Sequence, residues 1–224
     1  MKLLPKNNQY NSLTFTGNSS TPAFVNCGDS INDVFKQTNE ITVEAWINAN
    51  STNSLQTVVG NYQTNMQFLM RLDDNSGLKA IFTVANTPFF GGWSTLTSTT
   101  TIVPGTWYHI AGTWDGTTVK LYVNGVLESS VPFAGTLPAV TNDVRIGGGL
   151  TNDTEYFDGD ITGVRLWNVT RTQSEINSNK DLCIAGSENG LVAMYNMIDG
   201  TGSSVLTDES VNGFDGTLIN MDAN

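Results

Sequence analysis

The stretch WYHIAGTWDGTTVKLYVNG, Trp107 to Gly125, decides the fold. It holds two apolar runs, Trp107–Trp114 and Val119–Val123, each followed by a dipeptide, Asp115-Gly116 and Asn124-Gly125. Asp-Gly and Asn-Gly tolerate the positive φ angles of tight hairpin turns, so the stretch predicts an antiparallel meander. Outward from it the strand signals recur. Ile41–Ile47 sets Ile41, Val43, Ala45 and Ile47 on one side and Thr42, Glu44 and Trp46 on the other. Both sides carry a large apolar group, which predicts a strand lying between two packed layers. Another strand, Ile161–Trp167, follows an acidic loop, and Gly159 and Asp160 read as the turn that launches it. Thr172-Gln-Ser-Glu175 is a capping-box pattern that opens one short helix, through about Asn179. Beyond it, Gly190–Asn196 reads as a returning strand and Asn212–Gly216 as a turn.

Composition agrees with an all-β chain. Of the 224 residues, 39% are apolar and 14% charged, and Gly, Thr, Asn and Ser fill much of the rest. That mix suits many short strands joined by polar turns. The length is compatible with one β sandwich, so the expectation is a single domain over 1–224, with a core at about 12–180 and returning strands at about 187–220. A net charge of −11 repels a phosphate backbone or an anionic membrane face, which argues against nucleic-acid partners. Leu3 and Leu4 before Pro5 are too few for a signal-peptide apolar segment, and no run reaches membrane-spanning length. Cys27 and Cys183, the two cysteines, cannot make a thiolate metal site. They are either a long-range disulfide or two independent thiols.

A series of short motifs then points to a family. Leu13-Thr-Phe-Thr-Gly17, Thr42-Val-Glu-Ala-Trp46, Pro104-Gly-Thr-Trp-Tyr-His109, Leu121-Tyr-Val-Asn-Gly125, Val144-Arg-Ile-Gly147, Phe157-Asp-Gly-Asp-Ile161 and Val164-Arg-Leu-Trp-Asn168 follow one another in order. Together they resemble the laminin-G-like and pentraxin-like branch of the concanavalin A-like jelly rolls. The resemblance implies a two-sheet antiparallel jelly-roll sandwich. It also implies a calcium site in the loop before the Gly-Asp-Ile strand: Asn152, Asp153 and Glu155 fall in that loop, and Asn65 falls near the partner hairpin. Departures from the pentraxin pattern at Gly148, Gly149 and Leu150, and at Asn65-Met66, argue for one calcium ion rather than two. Calcium is thus the expected cofactor, with a solvated acidic turn as the competing reading. The stretch concerned, TNDTEYFDGD (Thr151–Asp160), gathers Asp153, Glu155, Asp158 and Asp160 within eight positions.

Catalytic sets are sparse. His109 is the one histidine, and its mid-strand position predicts a structural or surface role. Glycosidases of this fold can carry alternating acids on one strand, but here Glu44 is followed by Trp46, and the second carboxylate is missing. Gly147-Gly-Gly149 lacks the lysine and helix of a phosphate loop. Aromatic residues give more. In Asn86-Thr-Pro-Phe-Phe-Gly-Gly-Trp93, Pro88 and Gly91-Gly92 interrupt strand structure, so Phe89, Phe90 and Trp93 are candidates for stacking on a sugar. The competing reading anchors two of the three in the core. Tyr62 and Tyr156 are further ligand-binding candidates. The leading functional expectation is a non-catalytic recognition or adhesion module for carbohydrate or another cell-surface ligand, outside the cell or on a particle surface. The alternatives are a structural or docking domain of a larger surface or phage-like assembly, with other subunits as partners, and a glycan-active hydrolase or lyase.

Overall fold

Asn124 (φ 51°) and Gly125 (φ 78°) both take the left-handed conformation, and the meander they were expected to turn is present. The computed structural model describes residues 11–17, 20–53, 55–62, 65–73, 77–87, 92–148, 155–199 and 202–221. In chain order these residues form β1 (Leu13–Thr16), β2 (Phe24–Asn26), α1 (Ile31–Thr38), β3 (Ile41–Ala49), β4 (Gln56–Gly60) and β5 (Phe68–Asp73). Next come β6 (Lys79–Ala85), β7 (Trp93–Thr101), β8 (Tyr108–Trp114), β9 (Thr118–Val123), β10 (Val126–Pro132), β11 (Arg145–Ile146) and β12 (Asp158–Trp167). After these come α2 (Gln173–Asn179), β13 (Leu191–Tyr195), β14 (Val205–Leu206) and β15 (Gly216–Ile219).

Two antiparallel sheets form a jelly-roll sandwich. The first runs β1-β12-β3-β8-β9-β10, and the second β14-β15-β2-β11-β4-β5-β6-β7. The long strand β12 is shared along one edge: β1 pairs with Asp158–Ile161 and β13 with Val164–Trp167. Segment 191–219 therefore bonds to both sheets, through β13 on β12 and β15 on β2. β12 starts at Asp158, earlier than the sequence reading placed it. Asp160 is a strand residue whose carboxylate accepts from the Thr14 hydroxyl at 2.7 Å, so it belongs to the β1 pairing rather than to a turn.

Alternation places Val43, Ala45, Ile47, Ile110, Leu121 and Leu166 of the first sheet against Phe68, Met70, Phe82, Val84 and Leu96 of the second. At Gly112 the sheets meet closely, because a Cβ there would lie 2.2 Å from the Phe82 ring. β3 is buried on both sides, as its two apolar faces predict. Its outer side is covered by the end of α2, where the Trp46 indole N–H donates to the Lys180 carbonyl at 2.8 Å.

The capping box is formed as expected: the Glu175 amide donates to the Thr172 hydroxyl, and the Thr172 amide to Glu175. Helix α1 corrects the expectation of a single helix. It is eight residues long, its Ser30 N-cap makes no side-chain hydrogen bond, and Ile31 and Phe35 are its apolar anchors. Phe35 meets Phe68 edge-on at 5.6 Å, so tertiary packing rather than a local start signal holds this helix. Both cysteines are free thiols, Cys27 buried and Cys183 partly so. Among the described residues no helix is long and apolar enough to cross a membrane.

Candidate functional site

Two clusters of charged and aromatic side chains sit on the outer faces of the two sheets. On the first sheet, Glu44 of β3 lies 3.3 Å from His109 Nε2 and 3.8 Å from Arg165 Nη1, and its Oε1 accepts from the Trp167 indole N–H at 2.9 Å. Burial by itself raises the Glu44 carboxyl. The His109 hydrogen bond, the charges of Arg165 and His109, and the Trp167 hydrogen bond outweigh it and hold the group at about 2. Arg165 also donates to the carbonyls of Asn179 and Leu182, which ties the C-terminal end of α2 to the sheet. His109 is 1% exposed and packs against the Trp46 ring at 5.4 Å. This cluster is a buried clamp, and His109 has the structural role expected of it.

The second sheet carries an open cleft of about 230 Å³, lined by Tyr62, Met66, Leu69, Arg71, Thr83, Trp93, Thr95 and Glu155. Strand register builds it. Phe68, Met70 and Leu72 of β5 point into the core, so Leu69, Arg71 and Asp73 take the outer face. Leu69 stands beside Thr83 of β6, Thr83 beside Thr95 of β7, and Ala85 beside Trp93. The two threonine hydroxyls are 3.0 Å apart. Trp93 opens β7 just after the 86–92 connection, which the Asn86 amide closes by donating to the Gly92 carbonyl at 3.1 Å. Trp93 is 49% exposed, so it is not a core anchor. At the other end of the cleft Tyr62 packs against Met66, Leu69 and Ala85.

Polar character comes from Arg71, whose guanidinium lies 3.4 Å from Glu155 and 3.7 Å from Asp73. Burial pushes the Glu155 carboxyl up; the charge and hydrogen bond of Arg71 oppose this, and the charge of Asp73 adds to it. The Glu155 carbonyl accepts from the Thr57 amide at 3.0 Å, which fixes this residue beside β4 and within reach of β5. Side-chain amides hold the residues that flank Tyr62 and Met66. Asn142 Nδ2 donates to the carbonyls of Asn61 and Asn65 and to Asn65 Oδ1, while Asn61 Oδ1 accepts from the Gln67 and Phe68 amides. Asn61, Gln67 and Asn32 complete this buried network.

The cleft brings together Tyr62, Trp93 and Glu155 of the residues singled out from the sequence. Phe89, Phe90, Asn152 and Asp153 lie outside the described residues. Tyr156 is buried at 4% exposure and is not part of the lining. Asn65 spends its side-chain oxygen on Asn142, at 2.7 Å. Among the described residues no group of three or more acidic, His or Cys side chains could hold a metal ion. Of the expected calcium ligands that the described residues include, Glu155 is paired with Arg71 and Asn65 with Asn142. Sequence reasoning passed over Arg71, Thr83 and Thr95, although a charged pair, Arg71 and Asp73, alternating within an otherwise apolar strand is a legible sign of an outer face.

Comparison with known proteins agrees with this architecture. A laminin-G-like family model, described as the concanavalin A-like lectin/glucanases superfamily, matches residues 7–177. Pappalysin-1 of Mus musculus is 38% identical over 84 residues, which make up 35% of this chain and 5% of pappalysin-1. A putative carbohydrate binding protein from Bacteroides ovatus superposes with a TM-score of 0.64 at 23% identity, covering 81% of this chain and 52% of that one. The CBM40 of the Ruminococcus gnavus IT-sialidase, solved bound to α2,3-sialyllactose, gives a TM-score of 0.59 at 15% identity, covering 78% of this chain and 97% of that one. The chain thus spans about half of the Bacteroides protein and a small fraction of pappalysin-1.

Proposed function

The chain belongs to the concanavalin A-like lectin/glucanases superfamily, and from that premise we propose that it is a non-catalytic recognition module that binds a glycan in the cleft between Tyr62 and Trp93. One observation carries the reading: a half-exposed indole shares an open sheet face with paired threonine hydroxyls and a guanidinium–carboxylate pair. A sugar ring offers an apolar C–H face to an aromatic platform and a rim of hydroxyls to such polar groups. The two carboxylates nearest the cleft, Glu155 and Asp73, both engage Arg71, which supports binding rather than acid–base work on a glycosidic bond. The structural neighbours that are carbohydrate-binding domains lend the same reading support. An extracellular or surface location, with the chain acting as one module of a larger protein, follows from it.

Trp93→Ala is the test. On a glycan array and by calorimetry it is expected to lose the binding of the parent protein, with its melting temperature within a few degrees of wild type because the indole is half exposed. Unchanged glycan binding by the folded variant would sink the assignment. Calcium is a separable part of the proposal. An ion held through Asn152 and Asp153 would release or absorb heat at millimolar calcium and raise the melting temperature; a flat titration removes the ion and leaves the cleft intact.

A further inference from the structure

Resting on the glycan reading above, we infer that the cleft selects uncharged sugars, and that Glu155 is the residue that sets this selectivity by occupying Arg71. Arg71 is the one cation among the lining residues. In a site for sialic or uronic acids such a guanidinium would face the ligand carboxylate in a bidentate pair. Here it faces protein carboxylates instead, Glu155 at 3.4 Å and Asp73 at 3.7 Å. Both are buried, at 8% and 5% exposure, so solvent screens them little.

An acidic sugar entering the cleft has two courses. It either displaces Glu155 and leaves that carboxylate buried without its partner, or it adds a third carboxylate to a site that already holds two around one guanidinium. Both are unfavourable, and the second is a built-in repulsion against a wrong ligand. A neutral sugar meets neither obstacle. Its hydroxyls can accept from the guanidinium of Arg71, whose side chain is 22% exposed, and donate to Glu155. The net charge of −11 acts in the same direction at longer range, since it slows the approach of anionic glycans.

The experiment is an array of matched oligosaccharides, each neutral chain beside its sialylated or uronate-capped counterpart, probed with wild type, Trp93→Ala and Glu155→Gln. Wild type is expected to prefer the neutral member of each pair by about tenfold or more, a preference that one buried charge can supply. The preference should vanish with the binding itself in Trp93→Ala. Glu155→Gln removes the charge and keeps the shape, and it should narrow the preference by about tenfold by strengthening acidic ligands. Acidic ligands bound by wild type as well as, or better than, neutral ones and lost in Trp93→Ala would overturn the inference while keeping the cleft. Binding that is absent altogether or indifferent to Trp93→Ala would overturn the cleft reading itself. A Glu155→Gln profile identical to wild type would remove Glu155 as the selecting residue, and if that variant does not fold, the wild-type pairs still decide the neutral preference.

Discussion

Replacing Glu44 by Gln should remove a defined part of the acid sensitivity of this protein. The folded-state value of Glu44 is held at about 2, against 4.5 for the free group, because His109, Arg165 and Trp167 outweigh the cost of burial. With the folded value the lower of the two, the unfolded chain takes up the proton first as the pH falls. Stabilisation from this group is therefore complete above pH 4.5 and is lost progressively on the way down to 2. At about 1.4 kcal/mol for each pKa unit, the gap is worth about 3 kcal/mol. Glu44→Gln keeps the acceptor for the Trp167 indole but leaves Arg165 without its counter-charge, so the variant should be the weaker protein at neutral pH. Urea unfolding of both proteins at several values between pH 7 and 2 measures the difference directly, and other carboxylates cancel in it. The two stabilities should converge by about 3 kcal/mol between pH 4.5 and 2. Curves that fall in parallel over that interval would refute the clamp.

Two further substitutions probe the frame of the cleft. Gly112→Ala would put a Cβ 2.2 Å from the Phe82 ring, closer than real contacts come, and should cost about 1–3 kcal/mol in thermal unfolding as the sheets move apart; a loss under about 0.5 kcal/mol would show that the contact is soft. Asn142→Ala leaves the carbonyls of Asn61 and Asn65 without their donor and should cost about 1–3 kcal/mol. Because the same amide holds the residues that flank Tyr62 and Met66, glycan affinity should also fall several-fold, and unchanged affinity in the folded variant would separate this network from the site.

The sandwich was legible because its signals are local. Asn124-Gly125 states its turn, Thr172 to Glu175 states its helix start, and the alternation of Ile41–Ile47 states two buried faces. Helix α1 was not legible, since Ile31 and Phe35 find their partners in Phe68 and its neighbours rather than in a cap of their own. The cleft was half legible. Trp93 and Tyr62 stood out as aromatics beside turns, but Arg71, Thr83 and Thr95 become neighbours only when β5, β6 and β7 adopt their register. From the sequence, the acidic stretch around Glu155 is a candidate cation loop, and the residues before Glu155 in it lie outside the described ones. The cation that Glu155 meets is Arg71, 84 positions earlier in the chain and invisible to any reading of the loop alone.

The contrast between the two clusters also bears on where function sits. Each combines a carboxylate, a guanidinium and aromatic rings, yet Glu44 is pulled down to about 2 while Glu155 is pushed up. Donor supply accounts for the opposite directions. Glu44 receives His109, Arg165 and Trp167 under a roof made by the end of α2, so its burial cost is outweighed and the group is locked. Glu155 has Arg71 at 3.4 Å, shared with a second carboxylate, and among the described residues the outer face of β5 to β7 is open beside Trp93. Polar groups that a ligand can reach are the ones it can complete, whereas the Glu44 cluster is buried out of its reach. Helix α2 covers the sheet that holds Glu44 and not the face that holds Glu155, so under the proposed glycan reading Glu155 is the carboxylate within a sugar's reach.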